Sequence, residues 1–469
     1  MSQTQIQFLG ATGTVTGSKT ALFAGNTLED RILIDCGLFQ GLKDNRRKNW
    51  NQLPVEPQSL GGVVITHAHI DHCGYLPRLV QDGFAHPIYC TPATAELMAI
   101  SLRDAAHLQE EEARYANKEG FSKHTPALPL FSTEDVEMTL ELVRQVKSSE
   151  PLTIGKNLTV RFLNSGHILG STSLQITSTA GEKPISIVFS GDLGRFGFPI
   201  LPNPESPSSS DYLVLESTYG DRVHRNTDTA ADLAETLQKN FALGGVTLIP
   251  AFSIGRTQLI LFYLRQLQDE GALDDIPVYL DSPMAIKVME TYRRYTGALD
   301  DEMKHLIRSG VNPLMPKSFR ATASREESMA LNSINGNAII ISASGMATGG
   351  RILHHLKQRV GSVRNSVLFI GYQAEGTRGR AMLNGADSIK IHGSQHPVRC
   401  NVQQIDGLSA HADREEMLAW LEQFPSPPKR VFLNHGEPDS CRSFSEFITG
   451  KTGIPTSIPS YLDSFTLDV

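Results

Sequence analysis

Five short runs of apolar and β-branched residues along the chain each end at, or just before, a residue that is able to carry chemistry. The runs are RILI, GGVVI, ISIVF, YLVLE and RVFLN. Uninterrupted apolar runs of this length, bounded by glycine, predict buried strands. A single polar residue at a strand end is commonly a turn former or a helix cap. Five in one chain favour a shared site at the carboxyl ends of the strands, where α/β proteins bind ligands. They are Asp35, His67, Asp192, Glu216 and His435.

Between about residues 211 and 395 the pattern changes to a regular alternation of strand, Gly/Ser loop and helix. Such an alternation predicts βαβ units and a parallel, doubly wound sheet. The segments that show it are GGVTLIPAFSIGRTQLILFYLRQL, IPVYLDSPMAIKVMETYRR, GNAIIISASGMATGGRILHHLKQ and NSVLFIGYQAEGTRGRAML.

The loops of this region contain small residues and arginines that are candidates for binding phosphate. Backbone N–H groups at helix amino termini bind phosphate where small residues allow close approach, and guanidinium groups add charge and fork geometry. The candidates are Ser253, Arg256, Ser342, Ser344, Gly345 and Arg378, with Arg380 beside them. Small residues between strand and helix are also what close packing demands. Phosphate binding and packing therefore stay open as two interpretations.

The stretch THAHIDHCG, residues 66–74, concentrates His67, His69, Asp71 and His72 within six residues of a chain that has 15 histidines. A histidine-rich surface turn is the simplest interpretation, but imidazole and carboxylate together are the donors that zinc selects. His167 lies in a Gly/Ser-flanked turn between two strand-like segments and is a further candidate ligand. The stretch therefore predicts a metal site.

Composition limits the class of protein. A chain of 469 residues exceeds what one hydrophobic core usually supports, so we expect two domains or one domain with a large insert. No apolar run reaches membrane-spanning length, and the start MSQTQIQFLG lacks the features of a signal peptide. The five cysteines include no CxxC pair, which argues against a disulfide framework and a thiolate metal site. We therefore expect a cytoplasmic protein without a membrane partner.

The net charge and two short segments limit the kinds of binding site that the sequence can contain. The formal net charge of −7 gives no global attraction to nucleic acid, so a polyanionic substrate needs a local positive site. GATGTVTGSKT, residues 10–20, is similar to a phosphate loop, but that motif needs glycine directly before lysine and here Ser18 precedes Lys19. The charge run in HLQEEEARYANKEG, residues 107–120, predicts the solvated face of a helix.

HAHIDH has the form HxHxDH, and with His167, Asp192 and His435 it resembles the two-metal hydrolases of the metallo-β-lactamase superfamily. LESTYG, GLSAHAD and LNHGE resemble the three further motifs of the β-CASP nucleases, a branch that includes bacterial ribonuclease J and the endonuclease subunit of the eukaryotic pre-mRNA cleavage machinery. PAFSIGRTQ and SASGMATGGR are similar to the insert of that family, so the resemblance covers nearly the whole chain.

The resemblance implies an α/β fold in which a four-layer αββα metallo-β-lactamase domain is interrupted by a doubly wound parallel α/β domain, the β-CASP domain. We expect the first domain to comprise residues 1–210 and 396–469, and the β-CASP domain to comprise residues 211–395. The extra terminal domains of larger relatives have no counterpart in the sequence, which predicts the minimal bacterial form.

The resemblance also implies two metal ions, Zn²⁺ with Mn²⁺ as the alternative. His67, His69 and His167 would bind one ion, while Asp71, His72 and His435 would bind the other, the helix after them beginning near Gly74. Asp192 would bridge both ions, and Asp35 would orient a histidine or the attacking water. We assign catalytic roles to Asp71, Asp35, Glu216 and His411, with His411 as the general acid and Glu216 as its hydrogen-bond partner.

The function implied is hydrolysis of single-stranded RNA, cutting internally, with 5′-to-3′ exonuclease action left open. His435 at the last motif favours RNA over DNA, because the DNA-repair members of the resembling families usually carry another residue there. A DNA nuclease, a small-molecule hydrolase with the same metals and a catalytically inactive RNA-binding scaffold remain the alternatives. A monomer and a homodimer both stay open.

Overall fold

A computed structural model describes residues 3–120, 124–148, 150–224 and 228–468, which form two compact units. The first unit contains Met1–Phe198, Pro202–Val223 and His411–Val469. The second contains His224–Ala410 and the short segment Pro199–Leu201. The domain boundaries expected from the sequence, at residues 210/211 and 395/396, stay predictions.

The first unit is built on two sheets, each with seven strands in the described part of the chain. In spatial order the strands of one sheet are Ser464–Leu467, Thr4–Phe8, Thr20–Ala24, Arg31–Ile34, Gly62–Val64, Ile88–Cys90 and Val143–Gln145. Those of the other are Thr456–Ser457, Arg430–Asn434, Tyr212–Glu216, Ile185–Phe189, Thr172–Ser178, Leu158–Asn164 and Leu152–Ile154. All five runs that the pattern analysis marked as strands are strands.

The two sheets of the first unit pack face to face around one apolar core, which includes Phe8, Ile32, Phe162, Ile187 and Phe432. The outer face of the second sheet is covered by two helices, Arg414–Glu422 and Pro438–Thr452, which bury Trp420 and Phe444 against it. The helices that accompany the other sheet are Lys43–Lys48, Ile70–Cys73, Leu76–Gln81, Pro92–Glu119 and Thr133–Glu141. The predicted αββα sandwich is confirmed.

The last strands of the described chain complete both sheets. Ser464–Leu467 pairs antiparallel with the first strand, Thr4–Phe8. Arg430–Asn434 pairs in parallel with Tyr212–Glu216, in a register that sets Glu216 opposite Asn434. His435, the residue after this strand, is therefore delivered to the same sheet edge as Glu216.

The second unit has a six-stranded, entirely parallel sheet within the described residues. Its strands in spatial order are Phe319–Ala321, Val278–Leu280, Ala338–Ser342, Val246–Pro250, Ser366–Phe369 and Asn401–Gln404. The helices of this unit are Thr229–Ala242, Arg256–Asp269, Pro283–Arg294, Asp301–Arg308, Arg325–Ala330, Ile352–Arg359 and Arg378–Leu383. Each of the four predicted strand–loop–helix segments has that structure, which confirms the parallel α/β domain.

Two further features were predicted from the sequence. The charge run at residues 107–120 lies on the long helix Pro92–Glu119, where Glu111 and Glu112 are exposed to solvent, and the helix ends at Gly120 with a φ of 67°. Among the described residues, no helix is both long and apolar enough to cross a bilayer.

Candidate metal centre

Most of the candidate ligands lie at the carboxyl ends of parallel strands in the first unit, while His167 lies between the antiparallel strands Leu158–Asn164 and Thr172–Ser178. Asp35 directly follows Arg31–Ile34, and the histidine cluster begins three residues after Gly62–Val64. Asp192 and His435 follow Ile185–Phe189 and Arg430–Asn434. Asp35 and His435 have positive φ angles of 57° and 52°, a conformation that is uncommon outside glycine and is found at functional sites.

The first group of ligands comprises His67, His69, His167 and Asp192, whose donor atoms all lie within 4.8 Å of one another. His69 Nδ1 is 3.2 Å from the Nε2 atoms of both His67 and His167. Oδ2 of Asp192 is 3.4 Å from His67 Nε2 and 3.5 Å from His167 Nε2. Three imidazole nitrogens and one carboxylate oxygen therefore converge on one point.

The second group comprises Asp71, His72 and His435, again with donor atoms within 4.8 Å of one another. The Nε2 atoms of His72 and His435 are 3.2 Å apart, and Asp71 Oδ2 is 3.5 Å from His435 Nε2. Asp71 and His72 lie in a short helix, Ile70–Cys73, which precedes the helix Leu76–Gln81 that was expected near Gly74. The additional short helix forms because the N–H groups of His72 and Cys73 donate to the His69 carbonyl.

Asp192 lies between the two groups. Its Oδ2 atom faces the first group, while Oδ1 is 3.2 Å from His72 Nε2 and 3.5 Å from His435 Nδ1. Within the described residues, Oδ1 is buried and accepts no hydrogen bond that satisfies normal geometry. One carboxylate thus offers one oxygen to each group.

Burial keeps the first group of histidines in the form that binds metals. Burial lowers the pKa of His67 and His167, and it lowers the pKa of His69 to about 3. Imidazoles with such lowered pKa values are neutral at physiological pH. A neutral imidazole nitrogen is the donor that a divalent metal requires.

The two histidines of the second group have raised pKa values, unlike the histidines of the first group. Burial alone would lower the pKa of His72 and of His435, but the carboxylate of Asp192 raises both pKa values above the ordinary value. Asp35 raises that of His72 further. Protons on these two rings therefore balance the buried carboxylates in the protein without metal, and a bound cation would replace those protons.

Asp35 and Thr66, which belong to neither group of ligands, form hydrogen bonds with two of the histidine rings. Asp35 Oδ2 is 2.7 Å from His72 Nδ1, and Asp35 Oδ1 accepts the backbone N–H of Thr66 at 2.8 Å. The Thr66 hydroxyl is 3.0 Å from His67 Nδ1. The rings of His72 and His67 are therefore held by the nitrogen that does not face the ligand cluster, an arrangement typical of metal-binding histidines.

His411 and Glu216 form a pair beside the first group of ligands. His411 Nδ1 lies 3.2 Å from both carboxylate oxygens of Glu216 and 4.0 Å from Asp192 Oδ2. The ring of His411 also packs against that of His167, with ring centroids 4.5 Å apart. Glu216 is fixed in turn, because its Oε1 accepts the N–H of Leu193 at 2.6 Å.

The sequence analysis missed one part of the site, the glycine-rich loop of residues 10–19. The Ala11 carbonyl accepts the backbone N–H of His435 at 2.9 Å, and the Ser18 N–H donates to the Asp71 carbonyl at 2.8 Å. The loop therefore positions two residues of the second group through its backbone. Its similarity to a phosphate loop drew attention to the stretch, but no sequence signal identified its partners.

Lys19, the last residue of this loop, extends its side chain into the protein interior. Its side chain is buried, its ammonium group donates to the Gly37 carbonyl, and it lies over the rings of Phe39 and Tyr75 at 4.6 and 4.7 Å from their centroids. Gly37 in turn passes so close to the second group that a Cβ atom on it would lie 1.5 Å from the Asp71 carbonyl oxygen. Lys19 and Gly37 thus support the backbone on which Asp71 lies.

The candidate phosphate-binding residues lie in the second unit, and several have protein partners. Arg256 donates to the Leu408 carbonyl at 2.5 Å, and Arg378 donates to the carbonyls of Lys390, Ala347 and Thr348. The Ser342 hydroxyl donates to the Asp281 carbonyl at 2.8 Å. These contacts favour packing as the role of the three residues.

Of the other three candidates, Ser253 and Gly345 are buried and Ser344 is partly exposed. The hydroxyls of Ser253 and Ser282 are 3.2 Å apart, and Ser344 is hydrogen-bonded to Thr348 in an exposed part of its loop. A Cβ atom on Gly345 would lie 2.7 Å from the ring of Phe252, so close packing explains this glycine. Phosphate contact by these loops stays a prediction.

The residues present fit a pair of divalent cations. The donors are imidazole nitrogens and carboxylate oxygens, they form two groups, and one carboxylate with an otherwise unsatisfied buried oxygen lies between the groups. This set suits zinc, and no thiolate competes because all five cysteines are free, buried and outside both groups.

Comparison with protein families places three models along the chain. Residues 16–218 match the metallo-beta-lactamase superfamily, residues 257–382 match the Beta-Casp domain, and residues 395–459 match the Zn-dependent metallo-hydrolase RNA specificity domain. Together the three models include every ligand of both groups, and His411 and His435 fall in the third.

Curated relatives match along nearly the whole chain. Ribonuclease TTHA0252 of Thermus thermophilus is 36% identical over 440 residues, which are 94% of both chains. An RNase J-like protein of Methanocaldococcus jannaschii is 31% identical and matches 92% of this chain and 93% of its own. The transcription termination factor FttA of the same organism is 29% identical over 98% of this chain and 71% of its own length.

A solved structure supports the fold alone. It is a protein of unknown function from Enterococcus faecalis that matches 99% of this chain and 100% of its own, with a TM-score of 0.52 and 13% identity.

Proposed function

The chain belongs to the β-CASP branch of the metallo-β-lactamase superfamily, a family of metal-dependent hydrolases, and on that premise we propose that it is a zinc-dependent ribonuclease acting on single-stranded RNA. The observation that carries the proposal is the position of Asp192, with one oxygen toward each of two buried groups of ligands. Two zinc ions held there would supply an activated water and stabilise the negative charge that develops on a phosphodiester.

The protein's own residues prepare this chemistry. Asp35 holds His72 by its Nδ1 atom, which leaves Nε2 directed at the second group of ligands. Glu216 holds Nδ1 of His411, and we assign to Nε2, the opposite nitrogen, the transfer of a proton to the departing 3′-oxygen. Asp71 belongs to the second group and would act as both ligand and anchor of the water.

RNA is favoured over DNA on two grounds. Relatives that match almost the whole chain carry the names ribonuclease and RNase J-like protein. The residue of the last motif is His435, the type that accompanies RNA hydrolysis in the resembling nucleases. The loops that contain Ser253 and Ser344 in the second unit are proposed to contact RNA phosphates. The five free, buried cysteines support a location in the reducing cytoplasm.

The test is a cleavage ladder. Purified protein loaded with zinc is incubated with 5′-labelled single-stranded RNA and with DNA of the same sequence, and the fragments are separated. We expect internal cuts in RNA that leave a 5′-phosphate and a 3′-hydroxyl, and a 5′-to-3′ action would release labelled mononucleotide. Equal cutting of the DNA, or no cutting of RNA by protein with its metals bound, would overturn the proposal.

A further inference from the structure

One segment of the second unit has a charge opposite to that of the protein. Residues 351–400 contain eight lysines and arginines and two acidic residues, whereas the whole chain has a formal net charge of −7. A segment of this sign in an acidic protein creates a local positive potential, since exposed charges act within about 10 Å at moderate salt.

The fold gathers part of this charge on one surface. The helix Ile352–Arg359 presents His354 and, one turn later, Lys357, both exposed. His392 lies at the turn between the paired strands Ser388–Ile391 and Ser394–Pro397, also exposed, with its ring centroid 4.9 Å from that of His354. We call His354, Lys357, Lys390 and His392 the cationic patch.

The groups around the patch are themselves positive. Burial lowers the pKa of His392, and Lys357, Arg378 and His396 lower it further. Burial also lowers the pKa of His354, and His392, His355, Lys357 and Arg325 add to that effect. At physiological pH these two imidazoles are therefore largely neutral, and Lys357 and Lys390 carry the charge of the patch. A bound polyanion would favour protonation of both rings and so add their charge to that of the lysines.

Arg378 fixes the patch to a neighbouring loop. Its Nε donates to the Lys390 carbonyl at 2.6 Å, and its NH1 donates to the carbonyls of Ala347 and Thr348 at 3.2 and 3.0 Å. Ser344, a candidate for phosphate contact, lies in the same loop and is hydrogen-bonded to Thr348. The patch and that loop therefore form a continuous surface within the second unit.

We propose that the cationic patch is a binding surface for the phosphodiester backbone of RNA, distinct from the metal centre, which extends the contact between the protein and its substrate. The inference rests on the proposed ribonuclease function. The patch is exposed and spread over a helix and a hairpin, which suits a chain of phosphates better than a single small anion. Each phosphate neutralised would release counterions, and this release favours binding of a polyanion.

The test compares RNA binding by two variants matched in chemistry. Lys357→Gln/His392→Gln removes one lysine and one histidine from the patch, and Lys239→Gln/His305→Gln removes the same types from other exposed helices of the second unit. Full-length proteins are titrated into 5′-fluorescein-labelled single-stranded RNA of about 20 nucleotides, in chelator so that no cleavage occurs, over a series of salt concentrations.

We expect the patch variant to bind this RNA about tenfold more weakly than the unaltered protein at low salt. Its plot of log affinity against log salt should be flatter by about 0.7 for each phosphate that the altered patch no longer binds. The control variant should match the unaltered protein in both measurements. Equal affinity and slope for all three proteins would overturn the proposal, as would weaker binding to an acidic polypeptide with no change for RNA.

The binding test of the patch and the cleavage test of the proposed function can fail independently of each other. Absence of RNA cleavage by the zinc-loaded protein would overturn the ribonuclease proposal whatever the binding data show. Normal cleavage together with unchanged RNA binding by the patch variant would overturn only the proposed role of the patch. Circular dichroism of each variant checks that the fold is intact before either comparison.

Discussion

His411 Nδ1 lies 3.2 Å from both carboxylate oxygens of Glu216. A carboxylate on one nitrogen orients the imidazole and stabilises its protonated form, which suits a proton donor for the leaving 3′-oxygen. We predict that His411→Ala slows RNA cleavage by about 10² to 10⁴ fold while the zinc content stays unchanged. Rates on labelled RNA and elemental analysis of the same preparations measure both quantities.

A substrate with a better leaving group tests the role of His411 specifically. Nitrophenolate departs without protonation, so His411→Ala should hydrolyse a nitrophenyl phosphodiester at nearly the normal rate. Glu216→Gln should also slow RNA cleavage more than hydrolysis of the nitrophenyl phosphodiester. The loss should be smaller than in His411→Ala, because the His411 ring would keep its position. Equal losses on both substrates would mean that His411 positions the scissile group and does not donate the proton.

Asp192 is predicted to be the most sensitive ligand, because each of its oxygens faces a different group. Asp192→Asn retains the shape but removes the charge, and we expect metal content to fall below the roughly two ions per chain of the unaltered protein. Elemental analysis after dialysis gives the content, and RNA cleavage should fall with it. A variant with full metal content and normal cleavage would exclude Asp192 as the bridge.

Gly37 is predicted to be required for the second group of ligands, since a Cβ atom there would lie 1.5 Å from the Asp71 carbonyl oxygen. Gly37→Ala should therefore displace Asp71 and reduce metal binding at the second group, leaving about one ion per chain. Gly297→Ala is the control, because nothing lies within 4 Å of a Cβ built at that glycine. Two ions in both variants would contradict the prediction.

Lys19 should impose a pH dependence on stability. Burial lowers its pKa to about 8 from an ordinary value of 10.5, so between these values the unfolded chain binds a proton that the folded chain has released. The free energy of unfolding should therefore rise with pH across this window, by about 3 kcal/mol from this group. Below pH 8 both states are protonated, and the full cost of the buried charge is present.

Urea unfolding of the metal-free protein at pH 8 and pH 10 measures this effect, with Lys19→Met as the comparison. The unfolding free energy of the unaltered protein should rise relative to that of Lys19→Met between pH 8 and pH 10, because only the unaltered protein loses a buried charge. Lys48→Met is a control, since Lys48 also lies over the Phe39 ring, at 5.0 Å, but is only partly buried. The same pH trend in all three proteins would contradict the assignment.

The sequence predicted those parts of the site that depend on local pattern. His67, His69, Asp71 and His72 occupy one short stretch, and Asp192 and His435 follow apolar runs that form strands. The parallel pairing of these strands brings their ends together, so the pattern of strand endings was sufficient to predict the cluster.

The parts that could not be predicted depend on contacts between distant segments. Nothing in GATGTVTGSK shows that its backbone meets Asp71 and His435, because those partners lie more than 50 and 400 residues away. For Arg378 the sequence left phosphate binding and packing open, and in the structure its guanidinium donates to three carbonyl groups. An isolated arginine in a sequence gives no indication of whether its partner will be a ligand or the protein's own backbone.

The pairing of Arg430–Asn434 with Tyr212–Glu216 determines when during synthesis this hydrolase becomes complete. A ribosome makes His435 after every other ligand, and His435 follows a strand that pairs with the earlier-made strand Tyr212–Glu216. A nascent chain, or one shortened by a premature stop before this strand, therefore has the first group of ligands without a finished second group. On the proposed function, the two-metal centre assembles only after the chain has been made through His435.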